Sequence, residues 1–491
     1  MSTPSAEPLV AGVDSSTQST KVELRTLTGG RLMATGRAPH PVMSGPRSEQ
    51  DPQVWWTALV DALGQVGDHL DRVVAVAVAA QQHGLVVVDT SGEVIRPAKL
   101  WNDTESAPQA RRLREALDDE TWARSCGSVP VPSFSVTKLA WLVDNEPGAA
   151  HRVARVMLPH DWLTWRLTGR HVTDRGDASG TGWWDPVSGG YRPDLLALVG
   201  GRGDWVEAMP RVLEPGEPAG VVTAAAAGAT GLSEGTVVGP GTGDNMAAAL
   251  GLGLGPGDVV VSLGTSGTVY AVSPTPVSDH RGLVAGFASA DGVWLPLVCT
   301  LNATRVTDTA AAWLGLDRAA MERMALEAPP GSGGVVLVPY LEGERTPDLP
   351  GARGWWSGLT TSTGPAELSR SAFEGVVCGL LAGMDALVDV GVHVSGRMFL
   401  IGGGARSEAY RRITADLAGR ELVVPEDDET VATGACVQAA AVHLGLDSVG
   451  SPPGWELGAG PVVRPAPDGE GRRVRAAYRR VAGLVAGVEP F

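Results

Sequence analysis

The opening of the chain alternates continuous apolar runs with short polar turns. Leu9 to Asp14 (LVAGVD) is unbroken and predicts a strand buried on both faces. Ser15 to Ser19 predicts a small polar turn, and Thr20 to Arg25 (TKVELR) an alternating strand. A further strand around Arg31 to Pro39 completes a meander. Asp51-Pro52 then supplies an N-cap and a proline for the first helical position, and Trp56, Leu59, Val60, Leu63, Val66 and Leu70 follow at helical spacing. That helix should cover the sheet. Val73 to Ala80 and Leu85 to Val88 return to strand character, so the first part reads as mixed α/β.

The pattern recurs half a chain later. Val259 to Val272 (VVVSLGTSGTVYAV) repeats strand, small polar turn and strand, with Ser262 where Asp14 stood. Two halves opening alike predict a duplicated α/β fold with a cleft between, divided near Asp244 into residues 1–244 and 245–491. The basic stretch Arg472 to Arg480 is expected to form a helix that returns to the first half. Met398 to Ile401, Gly402 to Gly404 and Arg406 to Gly419 read as strand, glycine turn and helix.

Size and charge narrow the classes. A chain of 491 residues exceeds one small module, and 43% hydrophobic against 19% charged residues suffices for large cores. A net charge of −16 with no basic patch argues against a nucleic-acid partner. Cys126, Cys299, Cys378 and Cys436 lie far apart, without the spacing of a zinc site, which suggests a reduced, cytoplasmic setting. The first eight residues show no leader pattern, and the longest apolar run, Val73 to Ala80, is too short to cross a bilayer, so no membrane partner is expected. Only Lys21, Lys99 and Lys138 among 39 basic residues are lysines, and none follows a glycine, which excludes a Walker A phosphate loop.

Several segments could still do chemistry. Small-residue turns between strands gather backbone N–H groups and hydroxyls into a concavity suited to polyphosphate. Asp14 ends the first strand at such a turn, where it could hold magnesium or simply cap the turn. Gly239-Pro-Gly-Thr-Gly-Asp-Asn245 precedes Met246 to Leu250, placing Asp244 and Asn245 where a helix begins. The positive end of that helix favours an ionised carboxylate, so Asp244 is either a base or an N-cap. Gln81-Gln82-His83-Gly84 interrupts two apolar strands with groups that suit sugar hydroxyls, and Trp101 offers an aromatic face beside polar groups. Trp55, Trp56, Trp183, Trp184, Trp355 and Trp356 read as core.

In this order the segments resemble the FGGY family of carbohydrate kinases over nearly the whole chain. The resemblance rests on Asp14 to Val22 (DSSTQSTKV), Ser48 to Pro52 (SEQDP), Gln82-His83-Gly84, Trp101-Asn102-Asp103, Leu158-Pro-His-Asp161, Gly180-Thr181, Gly243-Asp244-Asn245, Ser262-Leu-Gly-Thr-Ser-Gly267, Gly343-Glu-Arg-Thr-Pro347 and Ile401-Gly-Gly-Gly-Ala-Arg-Ser407. It implies two ribonuclease-H-like domains of the actin-like ATPase fold, with sugar mainly on the first and ATP mainly on the second. Asp244 would be the base and Asp14 the Mg2+-linked carboxylate. Gln82, His83, Trp101 and Asn245 would meet the sugar, while Thr17, Lys21, Gly264, Thr265, Gly403 and Gly404 would lie along ATP. The implied reaction is transfer from ATP to D-xylulose, and a homodimer is allowed for. Many relatives place Met where Gln82 stands, so ribulose, gluconate or another polyol stays open as acceptor. A non-catalytic, sugar-responsive actin-like protein is the alternative from another class. Arg345 could clasp the two domains or form a surface ion pair.

Overall fold

A strand without a polar face needs cover on both sides of its sheet, and Leu9–Ser15 lies at the centre of one. The computed structural model describes residues 7–41, 47–446, 449–467 and 469–487. Leu9–Ser15 pairs antiparallel with Ser19–Thr26 and parallel with Val73–Ala80. Leu32–Pro39 closes one side, while Val237–Val238 and then Gly220–Val221 extend the other. Thr242–Gly243 also joins Val73–Ala80, in parallel register. Asp51 caps the helix Pro52–Gly64, accepting from the Gln53 N–H, and that helix packs on the outer strands of this sheet.

The second sheet repeats the design. Val259–Leu263 pairs antiparallel with Gly267–Ala271 and parallel with Met398–Ile401. Leu297–Thr300 closes one side, and Leu422–Val423 and Val462–Val463 extend the other. The two strand orders match position for position, as the repeated turn implied.

Between the sheets lie two helices, Asp244–Gly251 and Thr430–His443. Val10, Ala75 and Ala77 of the first sheet and Val260, Tyr270 and Phe399 of the second share one core with Ala247, Ala435 and Ala439 of these helices. The helices cross backbone to backbone. A Cβ on Gly434 would lie 1.7 Å from the Ala247 carbonyl oxygen, and one on Gly251 would lie 2.0 Å from that of Thr430. Thr430–His443 also presses on the opening strand, where a Cβ on Gly12 would come within 2.1 Å of the Ala432 oxygen.

Two expectations are corrected. The basic helix Glu470–Ala486 packs on Pro365–Asp389, Glu408–Ala418 and Val336–Val338 of the second half. Its Arg475 is held there by Asp385 at 2.6 Å, and Thr430–His443 is the element that returns to the first sheet. Trp355 is 48% exposed on a two-stranded hairpin, whereas Trp55, Trp183 and Trp184 are core. The long apolar helix Pro365–Asp389 has the length of a membrane span, but 78% of its most apolar stretch is buried inside the protein.

The helix crossing gives a stability test. Gly434→Val should cost more than about 3 kcal/mol in urea unfolding, because a backbone oxygen cannot yield to the new side chain. Gly228→Ala, in a helix with nothing within 4 Å of the new carbon, should be neutral or stabilising.

Candidate active site

Strand ends and helix starts deliver the site residues to one edge of the sandwich. Asp14 sits near the end of the opening strand, opposite Lys21 in antiparallel register. It is buried, and burial pushes its carboxyl up to about 6 against the pull of Lys21. One oxygen, Oδ2, lies 3.5 Å from Lys21 Nζ, while Oδ1 is buried without a hydrogen-bond partner. Lys21 also reaches Glu429 Oε2 at 2.5 Å, which ties the first sheet to the start of Thr430–His443.

Asp244 is the first residue of its helix and is half-buried. Burial, reinforced by the charge of Asp14, pushes its carboxyl up to about 7. The pull in the other direction comes from Asn245, whose backbone N–H and Nδ2 each donate to Asp244 Oδ1 at 2.8 Å. Asn245 Nδ2 also donates to Gln82 Oε1 at 2.9 Å, and Thr268 Oγ1 donates to Asn245 Oδ1 at 3.2 Å. The Gln82 amide nitrogen is buried and unpartnered. Gly243 is required here, since a Cβ would lie 2.6 Å from Gln82 Cγ.

His83 follows in the same turn, buried between Phe134 and Phe287 at ring distances of 4.9 and 5.6 Å. Burial first, then the charges of Lys138 and Arg345, hold its imidazole well below the usual range, so it is neutral at pH 7. Trp101 Nε1 donates to Thr17 Oγ1 at 3.1 Å, and Thr17 Oγ1 donates to Gln81 Oε1 at 3.4 Å. Thr17 thus ties the first turn to the segments carrying Gln82 and Trp101.

The second turn forms a separate group. Gly264 accepts from the Thr304 N–H at 3.1 Å and hydroxyl at 2.8 Å, and Thr265 is exposed. The glycine turn packs against it: a Cβ on Gly402 would be 2.7 Å from the Leu263 oxygen, and one on Gly404 would be 2.7 Å from Leu263 Cβ. Gly403 and Gly404 border a cavity of about 410 Å³ that Thr304, Thr307, Glu322 and Tyr410 also line. That is room for a nucleoside.

Behind Asp244 lies a buried network from the Leu158 to Asp161 segment. Burial pulls His160 down, but Asp161, Asp174 and Asp177, all within 3.4 Å of its Nε2, raise it to about 9. Asp174 Oδ2 accepts from Thr242 Oγ1 at 2.7 Å, bracing the strand that leads into Asp244. Glu49, Asp103 and Glu105 also converge, but Lys99 Nζ occupies their centre at 3.0, 3.2 and 2.5 Å, so an ammonium does a cation's work there.

Some neighbours escaped sequence reasoning. Thr268, Tyr270 and Cys299 come from the second sheet, where Thr268 stands directly opposite Cys299, so their side chains share a face. Tyr270 is buried with its hydroxyl unpartnered, and burial first, then the charge of Asp244, push that hydroxyl's titration up. The period-two pattern of Gly267–Ala271 was the available signal. Arg345, which the sequence left as a domain clasp or a surface ion pair, is half-buried and forms no ion pair among the described residues, since Glu342 pairs with Arg305 and Asp348 with Arg114. It borders a narrow cleft with Phe134 and Cys299.

Residues 9–251 match the N-terminal domain, and residues 259–443 the C-terminal domain, of the FGGY family of carbohydrate kinases. The chain is 48% identical to the xylulose kinase of Streptomyces coelicolor, over 99% of this chain and 97% of that one. It superposes on the xylulose kinase of Bifidobacterium adolescentis with a TM-score of 0.86 at 40% identity, covering 98% of this chain and all of the other. A gluconate kinase from Lactobacillus acidophilus gives a TM-score of 0.90 at 21% identity, with 98% and 99% covered, a likeness of fold alone.

The raised carboxyl of Asp244 has a measurable consequence. A folded pKa above the unfolded value gives stability that is present below about pH 4 and lost as pH rises through about 7. Asp244→Asn should therefore gain about 2 kcal/mol over the parent at pH 8 and almost nothing at pH 4 in thermal or urea unfolding.

Proposed function

The chain belongs to the FGGY family of carbohydrate kinases, and from that premise we propose that it transfers the γ-phosphoryl group of ATP to D-xylulose, giving D-xylulose 5-phosphate and ADP. The observation that carries the reading is the chain Asp244–Asn245–Gln82, which joins a carboxylate of raised pKa to an unpartnered amide at the edge of the first sheet. A hydroxyl held there lies within reach of both a proton acceptor and a fixed donor. The likeness to xylulose kinases at 48% identity over the full length favours the ketopentose over gluconate.

In this mechanism Gln82, His83, Asn245 and Trp101 orient the sugar. Neutral His83 can donate from one ring nitrogen and accept at the other, as hydroxyls require. Asp244 accepts the proton of the attacking hydroxyl, and Asn245 holds the carboxylate's direction. Phosphoryl transfer has a loose transition state, so positioning and charge placement supply most of the rate. The second turn and the glycine turn, with Gly264, Thr265, Gly403 and Gly404, border the nucleotide, whose nucleoside fills the 410 Å³ cavity. Lys21 lies on the opposite wall with Thr17.

The residues present fit a divalent cation. Asp14 Oδ1 is buried without a partner, as expected of a carboxylate oxygen that meets a hydrated ion or its phosphates. Mg2+ bound there would neutralise charge on the phosphates. Its arrival would also offset the Asp14 charge that holds Asp244 up. Both walls of the cleft come from one chain, so the reading needs no second copy. Four free, buried cysteines suit a reducing cytoplasm.

The test is ADP release measured across ketoses, aldoses, aldonates and polyols, with product masses determined. D-Xylulose should give the highest kcat/KM, and turnover independent of any sugar would sink the assignment. Asp244→Ala should lower kcat at least roughly a hundredfold while nucleotide affinity, read by calorimetry, stays within a few fold. Asp14→Ala should shift the Mg2+ concentration needed for half-maximal rate upward, and an unchanged Mg2+ dependence removes Asp14 from that role.

A further inference from the structure

His83 has a backbone conformation that needs support. Its φ is +62°, and among the described residues Ser332 is the only other non-glycine residue with positive φ. A side-chain-bearing residue there is strained by on the order of 1 kcal/mol or more, so its surroundings must hold it. Two donors one turn apart on the helix Ser135–Asn145 do so. Ser135 Oγ donates to the His83 carbonyl at 3.2 Å, and Lys138 Nζ donates to the same oxygen at 2.9 Å. Lys138 also donates to the Ser133 carbonyl. The ring has little freedom either, because a Cβ on Gly180 would stand 2.5 Å from its Cε1.

Lys138 stands in unusual surroundings. It is fully buried, and no carboxylate forms an ion pair with it among the described residues, whereas buried Lys99 is met by three. Burial pushes its amine well below the usual lysine range, and an unpaired charge there would oppose folding. Composition sharpens the point. The chain uses arginine nearly everywhere, yet keeps lysine at position 138. A slim stem ending in three donors can meet two carbonyls inside a packed core, where a planar guanidinium would need a wider space.

We infer that Lys138 is a positioning residue for sugar binding: with Ser135 it clamps the His83 carbonyl, so that the strained turn presents the imidazole to the acceptor sugar. This rests on the reading of His83 as a sugar contact. The effect therefore passes through His83 and falls on sugar affinity, with nucleotide affinity unaffected.

The experiment measures kcat, KM for D-xylulose and KM for ATP in five variants: Lys138→Met, Lys138→Arg, Ser135→Ala, His83→Ala and the double variant Lys138→Met/His83→Ala. Each is assayed below its unfolding onset by circular dichroism. Lys138→Met should raise KM for the sugar roughly tenfold, as for a buried carbonyl left without its donor, and leave KM for ATP within about twofold. Ser135→Ala should move the same constant by less, and Lys138→Arg, too wide for the space, should not restore the parent value. In the His83→Ala background Lys138→Met should add almost nothing. Full additivity, or equal effects on both substrates, overturns the inference while leaving His83 as a sugar contact. An unchanged sugar KM in His83→Ala overturns that contact and the inference with it. Should Lys138→Met fail to fold, Ser135→Ala with and without His83→Ala makes the same distinction.

Discussion

Gly434 and Gly251 let two helices touch backbone to backbone, and the placement of the site residues depends on that contact. The pair is one helix from each side of the sandwich, and its thickness sets how far apart the two sheets stand. With larger residues at the crossing, Asp244–Gly251 would move away from Thr430–His443, and Asp244 would leave the edge where Asp14 ends its strand. The apolar, alanine-rich surfaces of both helices follow from the same constraint, since each meets a sheet on one side and a helix on another.

Electrostatics at the edge of this sandwich is arranged around an unfavourable pair. Burial raises the affinity of both Asp14 and Asp244 for protons, and the charge of Asp14 adds to the effect at Asp244. The fold offsets part of it locally, with Lys21 beside Asp14 and the Asn245 donors on Asp244. The remainder is left for ligands that bring positive charge or accept the proton. Further back, His160 and its three carboxylates form a second charged group that stabilises the strand leading to Asp244. The neutral imidazole of His83 is consistent with these surroundings, because two nearby cations and a dry pocket both disfavour its charged form.

Much of this was legible in the sequence, for definite reasons. The strands Leu9–Ser15 and Val259–Leu263 are short apolar runs ended by small polar residues, so their repetition is visible without coordinates. Asp244 sits between a glycine-rich turn and an alanine-rich helix, and its position at the helix start followed directly. The family resemblance added the assignment of sides, which no periodicity supplies. The returning helix was misplaced because Arg472 to Arg480 carries charge on an exposed face, while Thr430–His443 is apolar all round and gives no direction. Trp355 was misread because a tryptophan pair resembles core from composition alone, and here it lies on a hairpin. Lys138, Thr268 and Tyr270 were missed because each reaches the pocket from an element distant in sequence, and only packing brings them together.

The helix Thr430–His443 also has a consequence for the newly made protein. Leu9–Ser15, which it covers, is synthesised more than four hundred residues earlier, so a nascent chain must carry that apolar surface uncovered until Thr430–His443 has been made. Truncation before this helix would leave an open hydrophobic face on the first half. Completion of the first half thus waits on a helix of the second, and that interval is when the polypeptide most needs protection from aggregation.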